Sequence, residues 1–178
     1  SRFFARMKGD VFFAVGGSGT ISGACLRILE QIKRANVSIL YIKPDVELLS
    51  GVKKLQERVV FGILQEYARS GVFNRMYIVS NHCVEDIIGD VPIIGYNEAL
   101  NEMIVSTFHM INIFKNSKPV SSTSSEPIDH ARISTIGMFD MEKNEENMFF
   151  SLDNPNEKCY YYGINKEKLQ TDGKLFRN

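Results

Sequence analysis

The sequence predicts an α/β protein built on a parallel sheet with flanking helices. Short apolar runs of strand length alternate with stretches whose apolar residues recur at the spacing of an amphipathic helix. The first run, residues 10–15, breaks into a glycine-rich turn, and a helical pattern begins directly behind it. Strands and helices that alternate through connections of this length indicate parallel pairing with right-handed crossovers.

The chain before residue 117 contains the alternating elements. Its last helix is long and has a broad apolar face. The predicted elements are strand 10–15, a helix from the glycine turn to about residue 34, strand 38–42, helix 52–67, strand 75–79, short helix 82–88 and long helix 94–116. The apolar face of the second helix is marked by Val52, Leu55, Val59, Ile63 and Tyr67.

A polar segment rich in serine and proline, residues 117–127, predicts a linker. It separates a first part, residues 1–116, from a partial C-terminal domain, residues 128–178. In the second part, residues 128–140 predict a short helix or strand, and residues 147–152 and 158–164 predict strands. We therefore expect the long helix to lead into part of a smaller α+β domain.

Composition restricts the class of protein. The 21 basic and 21 acidic residues cancel, so no overall field draws the chain to nucleic acid or to an anionic membrane. No apolar run approaches the roughly 18 residues that a membrane span needs. The three cysteines are far apart and lack CxxC spacing, which favours reduced thiols in a cytosol-like compartment. We expect a cytoplasmic protein without direct nucleic-acid contact or a zinc site.

The glycine-rich turn is the most informative motif of the chain. Glycines at 16, 17, 19 and 23 suit a tight turn or a close backbone approach to a ligand. Ser18, Thr20 and Ser22 add hydroxyl groups at the same place. A turn that opens a helix presents free N–H groups and the positive end of the helix dipole. The turn therefore predicts an anion site, with phosphate as the usual anion.

We compared the pattern with the known kinds of phosphate-binding loop. A P-loop is excluded because no Lys-Ser or Lys-Thr pair closes the turn. Gly17, Gly19 and Gly23 form GxGxxxG, a spaced-out relative of the dinucleotide fingerprint, but Asp45 and Glu47 lie slightly too late for its ribose-binding acid. A strand–helix turn without a ligand is the simplest alternative.

The turn also resembles the GGGTGSG loop of the tubulin/FtsZ superfamily, from which it departs at Ser18 and Ile21. The order of predicted elements, from the first strand to the long helix, looks like the later half of that GTPase domain. YIVSNHCVEDIIG (77–89) resembles the strand that ends in Asn and enters a short helix, and YNEALNEMIVSTF (96–108) resembles the start of the central helix. The phage and plasmid branch, with PhuZ- and TubZ-like proteins, is the most similar.

A third match follows the long helix. EPIDHARISTI (126–136) resembles the loop where family members carry Asn-x-Asp and then a short helix, although Pro127 replaces the Asn here. The resemblance implies that Asp129 orients the attacking water on the nucleotide of the next subunit in a filament. A carboxylate suits that role because it accepts a hydrogen bond from water and polarises it. A helix N-cap is the structural alternative for Asp129.

The resemblance implies GTP or GDP with Mg²⁺ as the ligands of the site. An asparagine amide both donates and accepts, as guanine recognition requires. Asn81 could instead cap a helix, and Glu47 could be a solvated loop carboxylate. The residues implied to bind the nucleotide are Gly17, Ser18, Gly19 and Thr20 at the phosphates, Glu47 at the ribose, and Asn81 and Asn101 at the base.

The resemblance further implies a filament-forming GTPase in the cytoplasm of a bacterial host. Subunits would stack head to tail into a homopolymer that positions DNA or virions, through a DNA- or virion-bound adaptor. Since family members begin with a further strand and glycine loop, we expect this sequence to be a fragment that lacks the N-terminal part of the domain. The alternatives are a non-hydrolysing structural paralogue and an NAD(P)-binding oxidoreductase that uses GxGxxxG.

Overall fold

A computed structural model describes residues 3–19, 21–32, 34–118 and 131–171. Its centre is a four-stranded parallel sheet in the order β1-β2-β3-β4, with helices on both faces. The predicted α/β class with a parallel sheet and flanking helices is therefore confirmed. The elements are β1 (Gly9–Gly16), α1 (Ser22–Gln31), β2 (Ala35–Lys43), α2 (Gly51–Arg69), β3 (Arg75–Ser80), α3 (Asn81–Ile88), α4 (Tyr96–Asn116), β4 (Ile133–Thr135), β5 (Gly137–Asp140), β6 (Glu145–Met148) and α5 (Lys166–Thr171).

The alternation of side chains along the strands produces two cores. In β2, Val37, Ile39 and Tyr41 point to one face and Leu40 points to the other. The first face is covered by α1 and α2, and the second is covered by α3 and α4. Because β2 and β3 are buried on both faces, they read in the sequence as nearly continuous apolar runs.

Helix α2 exists as predicted, but a different face of it packs on the sheet. Val52, Leu55 and Val59 are exposed, with 79%, 64% and 58% of their surface accessible. The buried positions of the helix are Glu57, Val60, Leu64 and Ala68. Both sets follow helical spacing, so periodicity alone could not decide between them. The prediction that Val52, Leu55 and Val59 face the core is therefore wrong.

The connection from β3 to β4 differs from the two before it. All three steps between neighbouring strands run in the same direction across the sheet. Helices α1 and α2 pack on one face, whereas α3 and α4 pack on the other. The chain moves across the sheet in the same direction as before, but its helices α3 and α4 pass over the other face. The connection from β3 to β4 therefore has the opposite hand to the two earlier connections. The prediction of right-handed crossovers concerned only the two earlier connections, which share one direction and one face of the sheet.

The chain after the predicted linker joins the same sheet and core. β4 pairs with β3 in parallel, from Met76↔Ile133 to Ile78↔Thr135. The Ser80 N–H donates to the Phe149 carbonyl at 2.7 Å, and the Phe149 side chain is fully buried beside α3 and α4. The antiparallel pair β5–β6 forms a separate hairpin. The predicted C-terminal part, 128–178, thus shares this core at β4 and Phe149.

The secondary structure of the last part was predicted less well. Residues 128–140, read as a helix or a strand, contain β4 and β5, and those before 131 lie outside the described residues. The strand near 147–152 is β6, which ends at Met148. Residues 158–164, predicted as a strand, pair with no strand and expose much of Tyr160, Tyr161 and Tyr162. The run of tyrosines suggested strand structure, but in the described part of the chain residues 158–164 join neither of the two sheets.

The orientation of α2 can be tested by comparing two leucines on opposite faces. Leu64→Ala removes a fully buried side chain and should lower the free energy of unfolding by about 2–5 kcal/mol. Leu55→Ala, the matched control on the exposed face, should change it by less than about 0.5 kcal/mol. Urea denaturation of both variants measures the difference. A larger loss for Leu55→Ala would show that the predicted apolar face is the buried one.

Candidate functional site

The glycine turn connects the carboxyl end of β1 to the start of α1. The Gly17 N–H donates to the Ile42 carbonyl of β2 at 2.9 Å, and the Gly19 N–H donates to the Gly16 carbonyl at 3.3 Å. The turn is therefore an ordered continuation of the sheet. Two of its amides, those of Gly17 and Gly19, therefore already donate to carbonyls of the protein.

Gly17 and Gly19 have different surroundings. A Cβ at Gly17 would overlap the Tyr41 hydroxyl and would lie 2.7 Å from Pro44 Cδ. A Cβ at Gly19 would meet only the Gly16 carbonyl oxygen, at an ordinary 3.5 Å. Gly17 is thus required by packing against β2. The fold itself does not require glycine at position 19, so that position remains open for a close approach by a ligand.

The N-terminus of α1 has no capping side chain. Ile21 occupies the N-cap position, and the first turn contains no acidic residue. The Ser22 hydroxyl donates back to the Gly19 carbonyl at 2.6 Å, so it is not directed outward. Within the described residues, the N–H groups of Ser18 and Ile21 have no hydrogen-bond partner. Uncapped N–H groups at a helix N-terminus form a site that favours an anion.

The other predicted site residues follow the neighbouring strands at the same edge of the sheet. Asp45 and Glu47 come after β2, and Asn81 comes directly after β3. The Asp45 carboxylate accepts the Glu47 N–H at 2.9 Å and so caps a short 3-10 turn, Val46–Leu48. The Glu47 side chain is exposed, and its carboxylate makes no hydrogen bond or ion pair to the rest of the described structure. Glu47 is therefore available to a ligand.

Asn81 is the first residue of α3 and is half-buried. Ser80 occupies the N-cap position of that helix, so the alternative of Asn81 as a helix cap is not the arrangement observed. Asn101 lies in α4 and is exposed. Neither asparagine amide has a partner among the residues described here. Both keep the donor and the acceptor that base recognition would use.

Helix α4 begins close to the loop that follows β2. The Tyr96 hydroxyl donates to Glu85 Oε2 at 2.8 Å. Partial desolvation, the hydrogen bond to Glu85 and the nearby negative charge of Asp45 together raise the pKa of Tyr96. The hydrogen bond between Tyr96 and Glu85 joins the start of α4 to α3. Thr20 and Asp129, the remaining predicted site residues, lie outside the described residues.

A buried charged cluster beneath the turn was not predicted from the sequence. Glu57 of α2 is only 3% exposed. Its Oε1 atom accepts from the Tyr41 hydroxyl at 3.2 Å and from Lys43 Nζ at 3.0 Å. Burial and the adjacent Glu57 charge raise the pKa of Tyr41. The signal in the sequence is weak, because a glutamate among the apolar residues of a helix stands out only when the packed face is known.

An extensive cavity of about 1230 Å³ lies elsewhere. It runs between α4, β4 and the chain after β6, and it contains none of the predicted nucleotide-binding residues. Part of its lining is formed by Thr107, Ile111, Phe114, Ile136 and Phe150. An anion site at a helix N-terminus is shallow, because backbone N–H groups form it. Cavity volume therefore does not identify the candidate site.

Comparisons with protein-family models, with curated proteins and with solved structures gave no match to this chain. Among the described residues, no three His, Cys, Asp or Glu side chains are grouped closely enough to hold a metal ion. None of the helices in those residues has the length and apolar character of a membrane span.

The two glycines of the turn generate a prediction about stability. Gly17→Ala should lower the free energy of unfolding by about 1–3 kcal/mol, because the new methyl group overlaps Tyr41 and Pro44. Gly19→Ala is the matched control and should leave the free energy within about 0.5 kcal/mol of wild type. Thermal and urea denaturation measure both. Equal losses in the two variants would contradict the observed packing of the turn.

Proposed function

We propose that this chain is a GTP-binding, filament-forming protein of the tubulin/FtsZ type, which hydrolyses GTP where subunits meet and positions DNA or virions. The order of its elements carries the proposal. From β1 to α4 the chain forms a strand, the glycine turn, a helix, a strand, a loop, a helix, a strand followed directly by Asn81, a short helix and a long helix. This is the order expected for the later half of that GTPase domain. The strands among them are parallel.

The phosphate part of the proposal rests on the glycine turn. Uncapped N–H groups at the start of α1 would hold phosphate oxygens, and the absence of a side chain at Gly19 permits a close approach. Phosphoryl transfer mainly requires positioning and charge neutralisation. Mg²⁺ supplies part of that neutralisation when it is bound with the nucleotide. Mg²⁺ in such sites is held largely by the substrate phosphates, with few carboxylates of the protein.

The base and sugar would lie along the same edge of the sheet. Glu47 follows β2 with a free carboxylate, as an acceptor for ribose hydroxyls would. Asn81 and Asn101 have unpaired amides within the described residues and fit the recognition of guanine. Ligands of parallel α/β sheets generally bind outside the carboxyl ends of the strands, where Glu47 and Asn81 follow β2 and β3.

The filament part of the proposal draws on apolar side chains near this edge. Ile21 and Leu48 follow β1 and β2 and expose 74% and 84% of their surfaces. Val52 and Leu55 of α2 add further exposed apolar surface. A second subunit stacked head to tail would cover such residues and would bring its Asp129 to this nucleotide. Repetition of a heterologous contact of that kind generates an open filament.

The oxidoreductase alternative is less well supported. Dinucleotide binding needs an acid at the end of the second strand to hold the ribose. Here β2 ends at Lys43, whose ammonium is paired with Glu57, and Asp45 is engaged by the Glu47 N–H. The non-hydrolysing paralogue shares the binding site, and the departures at Ser18 and Ile21 are what favour it. Turnover measurements separate that alternative from the main proposal.

Nucleotide titrations of the full-length protein test the binding site. Wild type should prefer GTP to ATP and to NADH. Gly19→Ala should weaken GTP and ATP alike, by about tenfold, which corresponds to roughly 1.4 kcal/mol. Asn101→Ala should remove the preference for GTP over ATP. Asn112→Ala, which changes another exposed asparagine farther along α4, should retain that preference. An unchanged preference in Asn101→Ala would exclude its guanine contact, and tighter NADH binding would favour the oxidoreductase.

Mixing experiments test where hydrolysis occurs. GTP turnover per subunit should rise with protein concentration. Asp129→Ala should bind GTP and form filaments that do not disassemble, since it removes the proposed water-orienting carboxylate. Asp129→Ala and Gly19→Ala subunits, each weakly active alone, should recover activity when mixed, because some interfaces then pair an intact Asp129 with an intact turn. Wild-type turnover by Asp129→Ala would exclude the catalytic role, and filaments of wild type without any turnover would favour the non-hydrolysing paralogue.

A further inference from the structure

The buried Glu57 carboxylate is the starting point. Burial of a charge is costly unless the charge is paired and hydrogen-bonded. Both donors, the Tyr41 hydroxyl and the Lys43 ammonium, converge on the same oxygen, Oε1. The Lys43 ammonium also lies 4.5 Å from the centre of the Phe61 ring, which satisfies it further. A well-packed apolar residue often stabilises a core more than a buried ion pair does, so the pair calls for a reason beyond stability.

Tyr41 connects this cluster to the glycine turn. Its ring is fully buried and stacks on Phe61, with 5.0 Å between ring centres. Its hydroxyl occupies the space where Gly17 would carry a Cβ, so the hydroxyl touches the backbone of the turn. The Gly17 N–H is held by Ile42, the residue next to Tyr41. Two consecutive residues of β2, Tyr41 and Ile42, therefore hold the turn at Gly17.

We propose that Glu57 is a positioning residue for the glycine turn. It fixes the Tyr41 hydroxyl beneath Gly17, and Tyr41 in turn sets the conformation in which the amides after Gly17 face the ligand. Glu57 itself is buried under the turn and would touch no ligand. The inference rests on the proposed function only for the identity of that ligand, a nucleoside triphosphate. The effect on the turn itself exists with or without a ligand.

The ion pair with Lys43 follows from the same role. The carboxylate must stay oriented to hold the tyrosine hydroxyl, and the Lys43 ammonium, bonded to the same oxygen, helps to fix that orientation. Lys43 is therefore committed to Glu57 at 3.0 Å instead of serving as a free cation for phosphate. Anion binding at this turn would depend on the backbone amides and the helix dipole, and for that reason on how well the turn is held.

The test uses amide hydrogen exchange in the protein without ligand, together with GTP titration. Tyr41→Phe removes the hydroxyl and keeps the ring, and Glu57→Leu removes the acceptor oxygen. Tyr67→Phe is the matched control: Tyr67 packs on the same face, against Phe73, with no hydrogen bond from its hydroxyl inside the described structure. The Gly17 and Gly19 amides report on the turn, and the Ser80 amide, bonded to Phe149, reports on the sheet.

Tyr41→Phe and Glu57→Leu should accelerate exchange at Gly17 and Gly19 several-fold while exchange at Ser80 stays at the wild-type rate, and GTP affinity should fall. Glu57→Gln keeps an acceptor oxygen, so its exchange rates at Gly17 and Gly19 and its GTP affinity should stay closer to those of wild type than those of Glu57→Leu do. Unchanged exchange at the turn, or equal acceleration at Ser80, would overturn the positioning role. A protein that binds no GTP but shows the local acceleration would refute the proposed function and leave the positioning role intact.

Discussion

The parallel pairing of β1 with β2 is the constraint on which the candidate site depends. The two strands are in register along their whole length, from Gly9↔Ala35 to Gly16↔Ile42. Because β1 ends at Gly16 opposite Ile42, the glycine turn leaves β1 beside Pro44 and Lys43, the last residue of β2. The Gly17 N–H then bonds to Ile42, and the Tyr41 hydroxyl fills the space beside Gly17. A shift of this register by one residue would turn Tyr41 to the other face of the sheet and remove that support.

The order of elements could be predicted from the sequence because each element from β1 to α4 has its own periodicity and a clear turn at its end. β2 and β3 are short apolar runs, and α4 is too long to be a strand. The packed face of α2 could not be predicted, since Val52 and Val60 belong to two apolar stripes of similar strength. β4 was ambiguous because its three residues offer too little pattern to distinguish a strand from a helix.

The site was predictable only as a set of strand ends. The family resemblance implied that the glycine turn, Glu47 and Asn81 belong to one site. They follow β1, β2 and β3, whose carboxyl ends lie at one edge because the strands are parallel. A role for Glu57 could not be predicted from the sequence, because that role depends on which side of α2 faces the sheet. Glu57 lies on the buried face of α2 with Val60 and Leu64. The sequence pattern instead predicted that the face with Val52, Leu55 and Val59 packs on the sheet. An incorrect assignment of the packed face of α2 therefore prevented the prediction of a role for Glu57.

The architecture explains why a nucleotide site of this kind would be shallow and open. Its groups are backbone amides at the start of α1 and side chains on loops, while the volume of the molecule's extensive cavity lies against α4 and β4. Such a site gains little from desolvation in a single subunit. Coverage by a neighbouring subunit would exclude water and strengthen every electrostatic contact with the phosphates. Exposed apolar residues near the same edge, such as Leu48 and Val52, would favour that coverage. In the proposed function, assembly and hydrolysis are coupled because the neighbour completes a site that one subunit leaves open.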